Sequence, residues 1–213
     1  MKSKFEIVAE KMGAGIYAKF LDVACSKWEI LDELSQAHFL GQIAVESENF
    51  TDLTEDLNYH PSRLLAVFPG RNGLRTIEQA AIICSRGYSG IAEAVYGPPW
   101  GAKALGNINP GDGARFPGRG LKQITGRRNV TEYSRAMYGD DRVVKNPNLL
   151  LEPFDAAMSA AWFFRVSKAY NAALADNVEL VTKRINGGQM ALAARKLATT
   201  RAKREFAKLR ATR

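Results

Sequence analysis

Apolar residues recur at helical spacing along nearly the whole chain, and strand signals are scarce. Residues 4 to 24 place Phe5, Val8, Met12, Ile16 and Phe20 on one helical face, with Gly13 and Gly15 weakening the middle. Residues 29 to 45, EILDELSQAHFLGQIAV, are apolar on most sides, so this helix is expected at the centre of a core. Further helices are expected at 61–67, opened by Pro61, at 76–87, capped by Thr76 and stopped by Gly87, and at 90–97. Others follow near 127–138, 153–166, 176–185 and 188–210. Between them, residues 97 to 120 are dense in Gly and Pro and are expected to stay irregular, a feature that in a compact domain often marks function. The pattern predicts a mainly α fold with at most a small β-hairpin. No repeat or linker divides it, so residues 1–213 are expected to form a single domain.

Several functional classes recede on composition. The longest apolar runs fall far short of the roughly 20 residues that span a bilayer. Glu6 and Glu10 interrupt the N-terminus where a secretory h-region would be apolar, so no signal peptide is expected. Two cysteines, Cys25 and Cys84, fit two free thiols better than one disulfide. No metal-ligand spacing occurs, since His38 and His60 lie far apart with no cysteine near either. Neither a metal nor a cofactor is expected.

Net charge is +8, and residues 195–213 carry eight Arg or Lys against one Glu. Ala198, Ala202, Phe206 and Leu209 give this segment one apolar stripe, as in an ordinary amphipathic terminal helix. The same charge would also suit an anionic wall or outer-membrane surface. The body has no basic stripe and no groove-reading motif, so no specific nucleic-acid partner is expected. The chain is expected to be a monomer.

Against this basic background, GQIAVESENFTDLTEDLNY (41–59) collects Glu46, Glu48, Asp52, Glu55 and Asp56. In one continuous helix, the nine residues from Glu46 to Glu55 would rotate the side chain by about 900°, onto the opposite face. The helical pattern fades after Glu46, and SENFTDLTED favours turns. Glu46 is therefore expected to end a buried helix, in apolar surroundings that favour its protonated form. Glu55 is expected on a loop that folds back, ionised among polar groups. Two carboxylates in unlike settings are what glycosidic cleavage requires. Glu48, Asp52 and Asp56 read as surface or capping groups. In GRGLKQITGRRN (118–129), Gln123 and Thr125 alternate with Ile124 as if on one side of an extended segment, and Asn129 follows. Such amides and hydroxyls suit sugar hydroxyl and N-acetyl groups. RINGGQ (184–189) places Asn186 before two glycines, which by itself reads as a helix stop.

In order and spacing, AHFLGQIAVESENFTDLTEDLNY, FPGR (68–71), GRGLKQITGRRN, SAAWFF (159–164) and INGG (185–188) resemble glycoside hydrolase family 19, the chitinase group that includes many bacteriophage endolysins. The resemblance spans roughly residues 35 to 200. It implies a two-lobed, lysozyme- or chitinase-like helical fold around a central cleft, and inversion at the anomeric carbon. It assigns Glu46 as general acid, Glu55 as the base that activates water, and Thr125 as the hydroxyl that helps hold that water. Gln123, Asn129 and Asn186 match substrate-cleft positions, and Tyr96 and Arg195 match more weakly. Inversion would require carboxyl groups about 6.5 to 9.5 Å apart. Two departures stand out. Val45-Glu46-Ser47-Glu48-Asn49 replaces the family's His-Glu-Ser-Gly-Gly, and Val130 follows Asn129 where an aromatic residue is expected.

The family cuts chitin or peptidoglycan. The short chain, the missing cysteine framework and the basic segment favour peptidoglycan glycan strands. The expectation is an endolysin of the muramidase type, held in the host cytoplasm until a separate pore-forming protein releases it to the wall. Chitinase and lytic transglycosylase are the alternatives.

Overall fold

A computed structural model describes residues 1–211; Thr212 and Arg213, which end the basic segment, lie outside the described residues. In chain order the helices are α1 (Lys4–Met12), α2 (Tyr17–Lys27), α3 (Glu33–Glu46), α4 (Pro61–Val67), α5 (Ile77–Cys84), α6 (Gly87–Tyr96), α7 (Trp100–Leu105), α8 (Asp112–Arg115), α9 (Arg127–Tyr138), α10 (Arg142–Lys145), α11 (Pro153–Val166), α12 (Ala169–Leu174), α13 (Val178–Asn186) and α14 (Leu192–Ala211). Among the described residues, the isolated extended pairings are two antiparallel bridges, Thr54 with Arg119 and Arg119 with Ile124. The mainly α expectation therefore holds.

The chain divides into two compact units. The first comprises Met1–Leu53, Gly120–Gln123 and the segment from Leu150 onward. Its centre is α3, in which every residue from Ser35 to Ala44 is buried. Helices α1, α11, α12, α13 and α14 all pack against α3. At Gly41 a Cβ would lie 2.4 Å from Thr199 Oγ1 and 2.7 Å from Thr199 N of α14, so only glycine fits the contact. The expected start of this helix at residue 29 moves to Glu33. Glu29 is left-handed, and the Asp32 carboxylate caps the helix by accepting from the N–H groups of Leu34 (2.9 Å) and Ser35 (3.1 Å). The expected helix 4–24 is two helices, because the chain reverses at Gly13 and Gly15; Ile16 consequently leaves the apolar face and is 69 % exposed.

Helix α14 lays Arg195, Thr199, Ala202 and Phe206 into the first unit. Most of its remaining cations are paired: Lys196 with Glu179 (2.6 Å), Lys208 with Glu205 (2.5 Å), Arg210 with Glu33 (2.5 Å), and Lys203 with Asp176. Arg201 donates to the Lys11 carbonyl at 2.6 Å. Much of the basic segment is thus a docked helix whose charges answer acids of its own unit.

The second unit comprises Thr54–Arg119 and Ile124–Leu149. Leu57, Leu64, Phe68, Leu74, Ala80, Ile91, Ala92, Val95 and Tyr96 form its core. The Gly- and Pro-dense stretch 97–120 is more regular than expected, since it contains α7 and α8. Side chains from outside the stretch hold it. The Glu93 carboxylate accepts from Gly111 N–H (2.9 Å) and Ala114 N–H (3.1 Å), and Asn72 reaches both Gly97 and Trp100. Cys25 is buried in the first unit and Cys84 half-buried in the second; both are free thiols, as the sequence favours.

Candidate active site

Glu46 is the last residue of α3. A carboxylate there faces the negative end of the helix dipole, which is unfavourable unless cations compensate. Two do. Arg195 Nη2 donates to Glu46 Oε1 at 2.5 Å, and Lys122 Nζ donates to Oε2 at 3.0 Å. All three side chains are nearly sealed from solvent, at 4 to 9 % exposure. The apolar surroundings expected for Glu46 are therefore not found. The helix is apolar along its length, but its final turn reaches Arg195 on α14 and the turn at 120–123.

Each cation is itself fixed. Arg195 Nη1 donates to Gln42 Oε1 at 2.8 Å, and its Nε donates to the Met190 carbonyl at 3.1 Å. Gln42 in turn donates to Thr182 Oγ1 at 3.2 Å. The Lys122 ammonium lies 4.8 Å from the Phe163 ring centroid. Its turn is closed by Gln123 N–H donating to the Gly120 carbonyl (2.9 Å) and tied down by Gly120 N–H donating to Leu53 (2.8 Å). Gly120 is left-handed, and a Cβ on it would stand 2.7 Å from the Leu150 carbonyl. Gln123 is left-handed too (φ 55°), so the extended segment expected through Gln123 and Thr125 is a tight turn.

The chain leaves Glu46 through three consecutive left-handed non-glycine residues, Glu48, Asn49 and Phe50. Such backbone costs of order 1–3 kcal/mol per residue and persists only where its surroundings impose it. Ser47 supplies part of that constraint: its hydroxyl donates to Ile43 O (2.7 Å) and accepts from Phe50 N–H (3.1 Å).

In the second unit, Glu55 follows the Thr54–Arg119 bridge. It is doubly tied to Gly118: Glu55 N–H donates to the Gly118 carbonyl (3.1 Å), and Gly118 N–H donates to Glu55 Oε2 (3.0 Å). The Tyr96 hydroxyl, at the end of α6, donates to Oε1. Burial first, then the charge of Glu55, pushes the Tyr96 phenol well above its usual range, so it stays a neutral donor. The Tyr96 ring meets Phe68 edge-on at 6.2 Å, and Phe68 meets Tyr59 at 5.6 Å. No cation forms an ion pair with Glu55 among the described residues.

The remaining expected residues fall into both units. Thr125 and Asn129 stand together in the second, where Asn129 Nδ2 donates to the Thr125 carbonyl at 2.9 Å. Gln123 stands beside Lys122 in the first. Asn186 is the last residue of α13, capped by left-handed Gly187, which agrees with the helix-stop reading. The first unit thus joins Glu46 with Arg195, and the second joins Glu55 with Tyr96. Lys122 was not expected. Its one signal is a charged residue inside the otherwise apolar and amide-bearing run LKQIT.

A glycosyl hydrolase family 19 domain-containing protein of Haemophilus influenzae (strain Rd) is 31 % identical over 187 residues, spanning 82 % of this chain and 80 % of that protein. The chain belongs to glycosyl hydrolase family 19. No family model matches it. The solved structures agree on the fold. Chitinase C from Streptomyces griseus HUT6037 superposes with a TM-score of 0.64 at 16 % identity, covering 95 % of this chain and 91 % of that one. A bacterial family 19 chitinase gives 0.61 at 15 % identity, covering 94 % and 93 %. As a family 19 glycoside hydrolase with a chitinase-like helical fold, the chain carries one carboxylate clamped by buried cations and another held by neutral donors.

Proposed function

We propose that this family 19 hydrolase cleaves β-1,4 bonds between N-acetylmuramic acid and N-acetylglucosamine in peptidoglycan, with inversion, as a phage or prophage endolysin. The observation that carries the acid/base reading is the contrast between Glu46 and Glu55. Each Glu55 oxygen accepts one hydrogen bond from a neutral donor, which leaves lone pairs to receive a proton from water. Glu55 is accordingly the base. Glu46 is the acid that hands a proton to the leaving oxygen, a role it takes from its place in the family's motif, while Arg195 and Lys122 fix its position. Thr125 helps hold the attacking water, and Gln123, Asn129 and Asn186 contact sugar. Tyr96 orients Glu55 and Arg195 orients Glu46.

Two free thiols and a net charge of +8 support a wall polymer over a secreted, disulfide-framed chitinase role. In this setting the protein waits in the host cytoplasm and reaches the wall when the inner membrane is opened. Chitin is the second reading, favoured by the solved relatives, which are chitinases. Digestion of purified sacculi followed by mass spectrometry separates the readings. A new reducing end on muramic acid supports the proposal. Release only from colloidal chitin supports the second reading, and 1,6-anhydro ends would show a lytic transglycosylase.

A further inference from the structure

The second unit also contains an open pocket of about 820 Å3 whose wall includes Arg71, Asn72, Pro99, Trp100 and Lys103. The wall is fixed. Asn72 Nδ2 donates to the carbonyls of Ala94 and Gly97, both at 2.9 Å, and Asn72 Oδ1 accepts from Trp100 N–H at 2.9 Å. Within it, the Arg71 guanidinium lies 3.7 Å from the Trp100 ring centroid and 4.7 Å from that of Phe68. Stacking of this kind fixes the plane of the guanidinium and leaves its edge free to bind a carboxylate with two hydrogen bonds. That edge donates to no other described residue. Lys103 is exposed beside it with its ammonium unpaired, and exposed Arg128 donates to the Lys103 carbonyl at 3.2 Å. No residue lining the pocket carries a carboxylate.

A neutral sugar polymer is gripped by stacking on an open aromatic face. Here Arg71 covers one face of Trp100, and the pocket offers unpaired positive charge instead. Peptidoglycan and chitin share their β-1,4 N-acetylated backbone; the anionic difference is the lactyl-linked stem peptide of muramic acid with its free carboxylates. We propose that this pocket binds the carboxylates of the stem peptide and makes the enzyme select peptide-bearing glycan over glycan without stem peptides. The proposal rests on the peptidoglycan reading above. The pocket also adjoins the Glu55 site of the same unit: Arg71 feels the charge of Glu55 without an ion pair to it, and Phe68 meets both Arg71 and Tyr96.

Two measurements test it. The first compares initial rates on intact peptidoglycan and on the same glycan stripped of stem peptides by an amidase, which leaves one free lactyl carboxylate on each muramic acid. The ratio of the two rates should fall about tenfold in the Arg71→Gln/Lys103→Gln double variant. The second titrates the free stem tripeptide (L-Ala–γ-D-Glu–diaminopimelate) into the protein by calorimetry. Wild type should bind it, more weakly as salt is raised, and the double variant at least tenfold more weakly. If loss of the Arg71 stack unfolds the double variant, Lys103→Gln alone, at an exposed position, should still lower both readouts. An unchanged rate ratio, or no tripeptide binding by wild type, overturns the proposal. Should wild type cut neither glycan, the peptidoglycan reading fails, and the tripeptide titration alone then decides the pocket.

Discussion

The two carboxylates differ in what holds them. Glu46 is clamped by two cations, sealed from solvent, and placed where the α3 dipole opposes it. Glu55 is half-buried and held by a phenol and a backbone amide. One setting is built from distant buried charge and couples the group to the stability of its unit. The other is built from local, neutral donors and orients a carboxylate at little cost. Substitutions around Glu46 should therefore damage both fold and catalysis, while those around Glu55 should act mainly on catalysis.

The largest effect is expected from Glu55→Gln and Glu46→Gln. Each should lower the hydrolysis rate by about 10²–10⁴-fold, the range of a lost general acid or base, measured as reducing ends released from sacculi. Full activity in Glu55→Gln would break the two-carboxylate reading. Next comes Arg195→Met, which leaves Glu46 paired with Lys122. Removing one member of a buried ion pair costs about 3–5 kcal/mol, and retention of the Lys122 pair places this variant at the lower end, visible as a lower denaturant midpoint. Gly41→Ala forces a methyl group against Thr199 and should cost about 1–3 kcal/mol, again in the denaturant midpoint.

The smallest effect is expected from Tyr96→Phe. Loss of one hydrogen bond to Glu55 should lower the rate about tenfold, since about 1.4 kcal/mol is one decade. Its pH signature sharpens the contrast. The Tyr96 pKa is raised in the folded state by burial and by Glu55, so its contribution to stability is complete below the ordinary value of 10.0 and is lost as pH climbs past it. Melting temperatures recorded from pH 8 to 11 should fall more steeply above pH 10 in wild type than in Tyr96→Phe. Parallel curves would show that Tyr96 is not held this way.

Much of the helical architecture was legible in the sequence because apolar spacing alone encodes it; the helices at Pro61–Val67, Arg127–Tyr138 and Pro153–Val166 have the expected limits. Short helices such as α10 and α12 went unnoticed because four to six residues complete too few turns to show a period. Residues 97–120 looked irregular because Gly and Pro obscure short helices whose support comes from Glu93 and Asn72, outside the stretch. The turn after Glu46 was legible from its Ser, Thr, Asn and Asp content. The clamp on Glu46 was not, since Lys122 and Arg195 lie 76 and 149 residues away and only tertiary packing unites them. Arg195 and Tyr96 were marked only by family resemblance. Lys122 was marked by nothing but its charge.

The central claim of the proposed function, a general acid for the leaving oxygen and a general base for water, is tested most directly by the anomeric form of the first product. Proton NMR taken within the first minutes of glycan digestion, before mutarotation, distinguishes the two anomers. Inversion of a β-1,4 bond must give new α-anomeric reducing ends. Initial β-anomers, or 1,6-anhydro ends in their place, would contradict it.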